Sequence, residues 1–353
     1  MRMHTGSSLQ GRILDPAAAA LVLAAAVAAI AVPVTVALAG GEPAARETSA
    51  GKAGVAAGTP PGGQAVMAEP TTPAAAEPLR LLFIHHSVGG QLLADPGPLE
   101  GGADRASGQY CIHRSHPNGG GLRRLLNEAG FSVHEVSYGS QLGEDTDIRH
   151  WPPKFRDRME DILRADLQDR PHADGGRNRI VVFKSCYPNN AFRGPGKEPG
   201  DPAAPELTVA NAQAAYRALL PLLRQQPDVL FVAFTAPPLA EPRAYGLRQK
   251  FQFWREGRAK AGALARRFNA WLADRQSGWL AGYDLPNVVV FDYYDVLTDR
   301  GRTDWSAYPT QGGRDSHPSA EGQAKAAAAF VPFLQQAVRG MGWETAATAA
   351  ATP

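Results

Sequence analysis

Cysteine is almost missing from this chain: Cys111 and Cys186 are its whole complement. Two thiols cannot build a disulfide scaffold or a zinc cluster held by cysteines. A surplus of charge is missing too. The 36 basic and 34 acidic residues leave a net charge of +2, which gives no electrostatic reason to expect nucleic acid as a partner. No internal repeat is visible. What remains is 353 residues with 44% hydrophobic side chains, enough to bury a substantial core in one domain or at most two.

Long apolar runs are confined to the N-terminus. Arg2 and Arg12 precede a charge-free stretch, 16–41, made almost wholly of Ala, Val, Leu and Ile. Ala37-Leu38-Ala39 fits the small-x-small pattern of signal-peptidase cleavage. The run is also long enough to span a bilayer, and Pro33 does not forbid a span. Residues 1–39 are therefore expected to be a cleaved signal peptide or a retained membrane anchor, and the chain is expected outside the cytoplasm either way. Residues 40–78 hold 11 Ala, 7 Gly and 6 Pro without hydrophobic periodicity, the composition of a linker that cannot bury enough apolar area to order itself. Residues 343–353 read as a tail of the same kind. The folded unit is expected over 79–342. In an exported chain, two cysteines are expected to pair, with simple burial as the alternative.

Five short apolar runs punctuate that unit: "RLLFI" (80–84), "FSVHEV" (131–136), "RIVVFK" (179–184), "DVLFVAF" (228–234) and "NVVVFD" (287–292). Continuous apolar runs suit strands covered on both faces of a parallel sheet. Between the third and fourth, Val209, Ala212, Tyr216, Leu219 and Leu223 recur at helical spacing. Before the fifth, Trp254, Ala261, Leu264, Phe268 and Trp271 do the same, with Arg255, Arg258, Lys260, Arg266 and Arg267 on other faces as a solvated surface. Ser319 is placed to cap a last helix that runs to about Val338. Alternating strands and helices predict an α/β fold, a three-layer α/β/α sandwich on a five-stranded parallel sheet. "DTDIRHWPPKFRD" (145–157) has no such rhythm, and Trp151 with its two prolines is expected as a wall over a site.

Open parallel sheets bind ligands outside the carboxyl ends of their strands. Ser87 stands at that edge in "LLFIHHSVGGQLL" (81–93), followed by Gly89 and Gly90, which would let the backbone approach a substrate. "RDSHPSAEGQ" (314–323) brings His317 to the same edge, with Pro318 fixing the loop and Asp315 available to orient the imidazole. A serine needs a neighbouring base to become a nucleophile, and His317 supplies one.

A serine after the first strand, an Asp-Ser-His-Pro motif before the last helix and the βα units between resemble the SGNH (GDSL-like) hydrolases, which are esterases and lipases of flavodoxin-like fold. The resemblance covers roughly 79–340. It implies Ser87 as nucleophile and His317 as base, with His85-His86-Ser87 where the family has Gly-Asp-Ser. It also implies oxyanion donors at the Ser87 N–H, at Gly143 in "GEDT" (Gly139 second) and at Asn189 or Asn190 in "FKSCYPNN", which lacks the family's Gly-x-Asn-Asp. The family's acid lies three residues before the histidine, where this chain has Arg314, so Asp315 takes the role from two residues away or the pair works as a dyad. His85 and His86 with His113 and His116 match no ordinary metal-ligand spacing, and one of the pair is expected in the pocket wall instead. Cys186, near the proposed site, offers a second candidate nucleophile, against which stand a disulfide to Cys111 and plain burial. The reading is an exported serine esterase with no cofactor and no metal, a monomer acting on a small-molecule, polysaccharide or lipid ester. Two alternatives stay open: an O-acyltransferase acting on a sugar with the same residues, and an inactive surface binding module of the same fold.

Overall fold

The computed structural model describes residues 77–103, 108–242, 246–248, 251 and 260–345. The N-terminal segment, nearly all of the linker, Trp254, Arg255, Arg258 and the tail past Thr345 lie outside the described residues.

Seven strands form one sheet: β1 (Leu79–Ile84), β2 (Phe131–Val136), β3 (Ala165–Leu167), β4 (Arg170–Pro171), β5 (Ile180–Lys184), β6 (Leu230–Phe234) and β7 (Val288–Phe291). Their order is β4-β3-β2-β1-β5-β6-β7. Every pairing is parallel except β3 with β4. The five long strands are the five expected from sequence, and their order 2-1-3-4-5 is the flavodoxin-like, doubly wound one. The count of five is corrected to seven. β3 and β4 have three and two residues, too few to carry an apolar period, and β4 is exposed.

The strands are apolar throughout because both faces are covered. Leu81 and Phe83 of β1 join one core cluster, while Leu82 and Ile84 join the other. Helices α1 (Ser87–Leu93), α2 (Leu122–Glu128) and α7 (Ala320–Gly340) pack on the Phe83 side, with the short α6 (Tyr293–Leu297). Helices α3 (Trp151–Arg164), α4 (Val209–Arg224) and α5 (Ala261–Ala273) pack on the Leu82 side. Fully burying each such aliphatic side chain contributes about 1.5–3 kcal/mol, so the two layers rather than local propensity hold the sheet.

The helical spacings hold in detail. Val209, Ala212, Tyr216, Leu219 and Leu223 are all buried along α4, whose N-cap Thr208 accepts from Asn211 N–H. Ser319 caps α7 by accepting from Gly322 N–H. Arg266 departs from its expected solvated role: it bonds Asp295, Asp304, Thr298 Oγ1 and the Thr303 carbonyl, tying α5 to the loop after α6. Trp343, expected in the tail, lies against the Arg179 guanidinium, 4.1 Å from it.

The stretch 145–157 is corrected as well. It ends in helix, with Pro152 and Pro153 in the first turn of α3, where their missing N–H groups cost nothing. Trp151 is fully buried against Phe155 and Phe183, and its Nε1–H donates to Ser185 Oγ at 2.8 Å. It is core, not a wall over a site. No helix among the described residues is long and apolar enough to cross a membrane.

Candidate active site

In the order 2-1-3-4-5, the connections leave β1 and β5 toward opposite edges, and a crevice opens between these neighbouring strands. Ser87 follows β1 and Cys186 follows β5, so the topology alone brings the two loops together. Ser87 is the first residue of α1, and its Oγ lies 2.9 Å from His317 Nε2 and 3.8 Å from Cys186 Sγ.

His317 arrives on a four-residue strand, Asp315–Pro318, paired antiparallel with Pro309–Thr310. Ser316 fastens that strand by accepting from Ala240 N–H at 2.9 Å. Asp315 Oδ1 accepts twice from His317, from the backbone N–H at 3.0 Å and from ring Nδ1–H at 2.7 Å. The ring therefore carries its proton on Nδ1 and turns the Nε2 lone pair to the Ser87 hydroxyl. Burial pushes the Asp315 carboxyl up, but the His317 amide and ring outweigh it and hold it below its ordinary value. The Tyr187 and His317 rings meet edge to face, with centroids 5.0 Å apart. The structure thus brings Ser87, His317 and Asp315 into one hydrogen-bonded line.

The two histidines before Ser87 do different work. His85 is wholly buried, with Nε2 2.9 Å from Glu135 Oε2 and Nδ1 2.9 Å from the His86 carbonyl. Glu135 is buried too, and its other oxygen accepts from Arg123. Burial would raise the Glu135 carboxyl, yet Arg123 and His85 hold it below its ordinary value. His86 stacks on Tyr138 at 3.6 Å and donates Nε2–H to the Gly143 carbonyl at 2.8 Å, while Nδ1 accepts from Thr146 Oγ1 at 3.0 Å. Burial pushes its pKa down to about 3, so it is a neutral wall of the site.

Gly89 and Gly90 lie inside α1. A Cβ on Gly89 would stand 2.3 Å from His85 Cβ, and one on Gly90 1.9 Å from the Cys111 carbonyl oxygen. They are glycines so that α1 can settle onto these groups, which sets the position of Ser87.

The expected oxyanion donors divide. The Ser87 N–H is one of the first-turn donors for which α1 has no intrahelical acceptor. Gly143 N–H instead donates to Ser140 Oγ at 2.8 Å, because the 137–143 turn folds so tightly that a Gly143 Cβ would fall 1.9 Å from the Ser137 carbonyl oxygen. Gly139 N–H donates to Glu144 Oε1 at 2.9 Å. Asn189 Nδ2 donates to Asp147 Oδ1 at 2.9 Å and to the Cys186 carbonyl at 3.3 Å, while its Oδ1 accepts from Ile148 N–H. Asn190 is buried, donating to the Ala236 and Pro237 carbonyls. As placed, Gly143 and Asn189 fasten loops rather than present open N–H groups.

Cys111 and Cys186 are both buried and no disulfide joins them, which corrects the expected bridge. His113 and His116 do not join His85 and His86 in a ligand set: His113 Nδ1 bonds the Gly101 carbonyl, and the two rings lie 5.2 Å apart. Burial, then His113 and His317, lower the His116 pKa.

Sequence reading missed the loop that shapes this side. Lys154 is buried on α3 and donates to the Leu142 and Glu144 carbonyls, holding the loop that His86 touches. Burial lowers its pKa to about 8. A lysine in an amphipathic helix carries no sequence signal for that role. A cavity of about 270 Å³ is lined by Cys186, whose Sγ lies 3.8 Å from Ser87 Oγ, and by His86, Tyr138, Thr146, His150 and Asn189 among others.

No family model matches the chain, and no curated protein does. Among solved structures, an acetylxylan esterase from Geobacillus stearothermophilus is similar at 16% identity and a TM-score of 0.34, over 76% of this chain and 97% of that one. A family two carbohydrate esterase from Cellvibrio japonicus is similar at 16% identity and a TM-score of 0.32, over 76% and 64%. A phospholipase A1 from Streptomyces albidoflavus is similar at 13% identity and a TM-score of 0.35, over 74% and 99%.

Proposed function

We propose that this chain is an exported serine esterase of SGNH type. The observation that carries the reading is the unbroken line Ser87 Oγ–His317 Nε2 and His317 Nδ1–Asp315 Oδ1, at 2.9 and 2.7 Å. Hydrogen bonds of these lengths let His317 take the hydroxyl proton as Ser87 Oγ attacks an ester carbonyl. Asp315 keeps the ring in the productive tautomer and offsets the imidazolium charge. Collapse of the tetrahedral intermediate returns the proton from His317 Nε2 to the leaving alkoxide, and water then repeats the sequence on the acyl-enzyme. The Ser87 N–H stands ready for the oxyanion. Asn189 adds a second donor by giving up its long bond to the Cys186 carbonyl.

The cavity beside the triad has Glu144, Asp145, Asp147 and His150 in its walls, which suits a short acyl group or a sugar better than an alkyl chain. Export rests on the N-terminal segment alone. The test is a panel of p-nitrophenyl esters of rising chain length with the full chain, with and without a sugar acceptor. Turnover highest on acetate supports the reading. A preference for long chains shifts it to a lipase, acyl transfer in the presence of sugar shifts it to an acyltransferase, and no turnover on any ester leaves the inactive binding module.

A further inference from the structure

A second group of chemistry-bearing side chains lies at the far edge of the sheet, separate from Ser87. It comprises His134 of β2, Asp166 of β3 and His172, which follows β4. One ligand atom from each lies within 4.8 Å of the others. The β3–β4 hairpin makes this possible: Gln168 takes a positive φ of 57° at its turn, and His172 N–H then returns to the Arg164 carbonyl at 2.8 Å. His172 is buried, whereas the side chains of His134 and Asp166 are 15% and 31% exposed, leaving an approach from solvent.

The surrounding hydrogen bonds anchor one atom of each group. Asn178 Nδ2 donates to the Ile162 and Ala165 carbonyls, so its Oδ1 is the atom 3.1 Å from His172 Nε2. His172 therefore carries its proton on Nε2 and keeps a lone pair on Nδ1. The rings of His134 and His172 meet edge to face, with centroids 4.5 Å apart. His134 Nδ1 lies 2.8 Å from Asp166 Oδ1, and its Nε2 lies 3.0 Å from Ser132 Oγ, a hydroxyl able to donate or accept. Asp166 Oδ2 is held by Arg170 at 2.8 Å. Each of the three groups thus has one atom anchored by a neighbour, the arrangement that orients metal ligands.

We propose that His134, Asp166 and His172 bind one divalent transition-metal ion of the zinc type. Two imidazole nitrogens and one carboxylate oxygen suit zinc, cobalt or nickel better than the oxygen-seeking calcium or magnesium. Binding replaces the His134–Asp166 hydrogen bond and switches the tautomer of the neutral ring: Nδ1 releases its proton to solvent, Nε2 takes one up from solvent, and the Ser132 hydroxyl turns from donating to Nε2 to accepting from it. A fourth position stays open to water, as in three-ligand sites. The ion would clamp the β3–β4 hairpin to β2, one residue from the Glu135 that holds His85.

The test is calorimetric titration of the full chain with zinc chloride after chelator treatment, with cobalt absorption spectra in parallel. The expected result is one equivalent bound with micromolar or tighter affinity, a raised thermal midpoint and tetrahedral cobalt bands. His172→Ala should weaken binding at least about 100-fold and Ser132→Ala about tenfold, while His317→Ala leaves it unchanged. Should His172→Ala fail to fold, Asp166→Asn reads the same loss with its shape retained. No stoichiometric binding, or binding that follows His317 and ignores Asp166 and His172, overturns the proposal and leaves an ordinary ion pair.

Discussion

Replacing Asp315 by asparagine removes a charge while keeping most of a shape. A single oxygen, Oδ1, accepts from both the His317 backbone N–H and its ring Nδ1–H. An asparagine carbonyl in that place accepts both bonds and keeps the ring in its tautomer. The new NH2 falls where Oδ2 met the Gln311 amide, which can turn to present its oxygen. The loss is then the attraction between the carboxylate and the imidazolium formed when Ser87 gives up its proton. At a charge separation of about 4 Å and an effective dielectric of about 20, that attraction is about 4 kcal/mol. The two side chains are 22% and 25% exposed, so solvent screening reduces it further. About 3 kcal/mol corresponds to a fall of about 10²-fold in kcat, with KM little changed. This is less than the roughly 10⁴-fold cost where an amide holds the wrong tautomer. Asp315→Ala strands both His317 donors and should lose more. The assay is initial rates on p-nitrophenyl acetate for wild type, both Asp315 variants and His317→Ala, each checked by thermal melting. A loss under tenfold in Asp315→Asn beside a crippled His317→Ala would refute the reasoning and make Ser87–His317 a dyad.

Gly90→Ala drives a methyl group into the Cys111 carbonyl, and overpacking of this kind costs about 2–3 kcal/mol; the thermal midpoint should fall by about 5–10 °C, and an unchanged melt would deny the contact. Glu135→Gln breaks the buried Arg123–Glu135–His85 chain and should cost about 3 kcal/mol in denaturant unfolding, whereas a loss under about 1 kcal/mol would show that the chain contributes little. His86 supplies the pH test. Its folded pKa of about 3 lies below the ordinary 6.5, so between those values the unfolded chain binds the proton that the folded one refuses. Stability should therefore rise with pH through that window, and His86→Gln should flatten the rise; equal slopes in the two proteins would contradict a neutral, buried His86.

The five long strands were legible because each is covered on both faces and so runs apolar without interruption. The β3–β4 hairpin was not, since strands of three and two residues hold no period. Ser87, His317 and Asp315 were legible because each stands next to a readable event: a strand end, a proline-fixed loop, a capped helix. The oxyanion donors depend on where single N–H groups point, and no residue type encodes that. Gly143 illustrates it, being a glycine to let the 137–143 turn close on the Ser137 backbone, not to bare its amide. Trp151 misled for the opposite reason. Trp151 with two prolines read as a rigid wall over a site, yet the prolines occupy the first helical turn, where proline is favoured.

The central claim is that Ser87 Oγ is the nucleophile. Treating the full chain with a fluorophosphonate and mapping the product by peptide mass spectrometry tests it directly. The expected result is one phosphonyl group on the peptide bearing Ser87, formed in step with the loss of esterase activity, and neither adduct nor turnover in a folded Ser87→Ala protein. Wild-type-like ester hydrolysis in that variant, or inactivation with the adduct on Cys186 or elsewhere, would contradict the account.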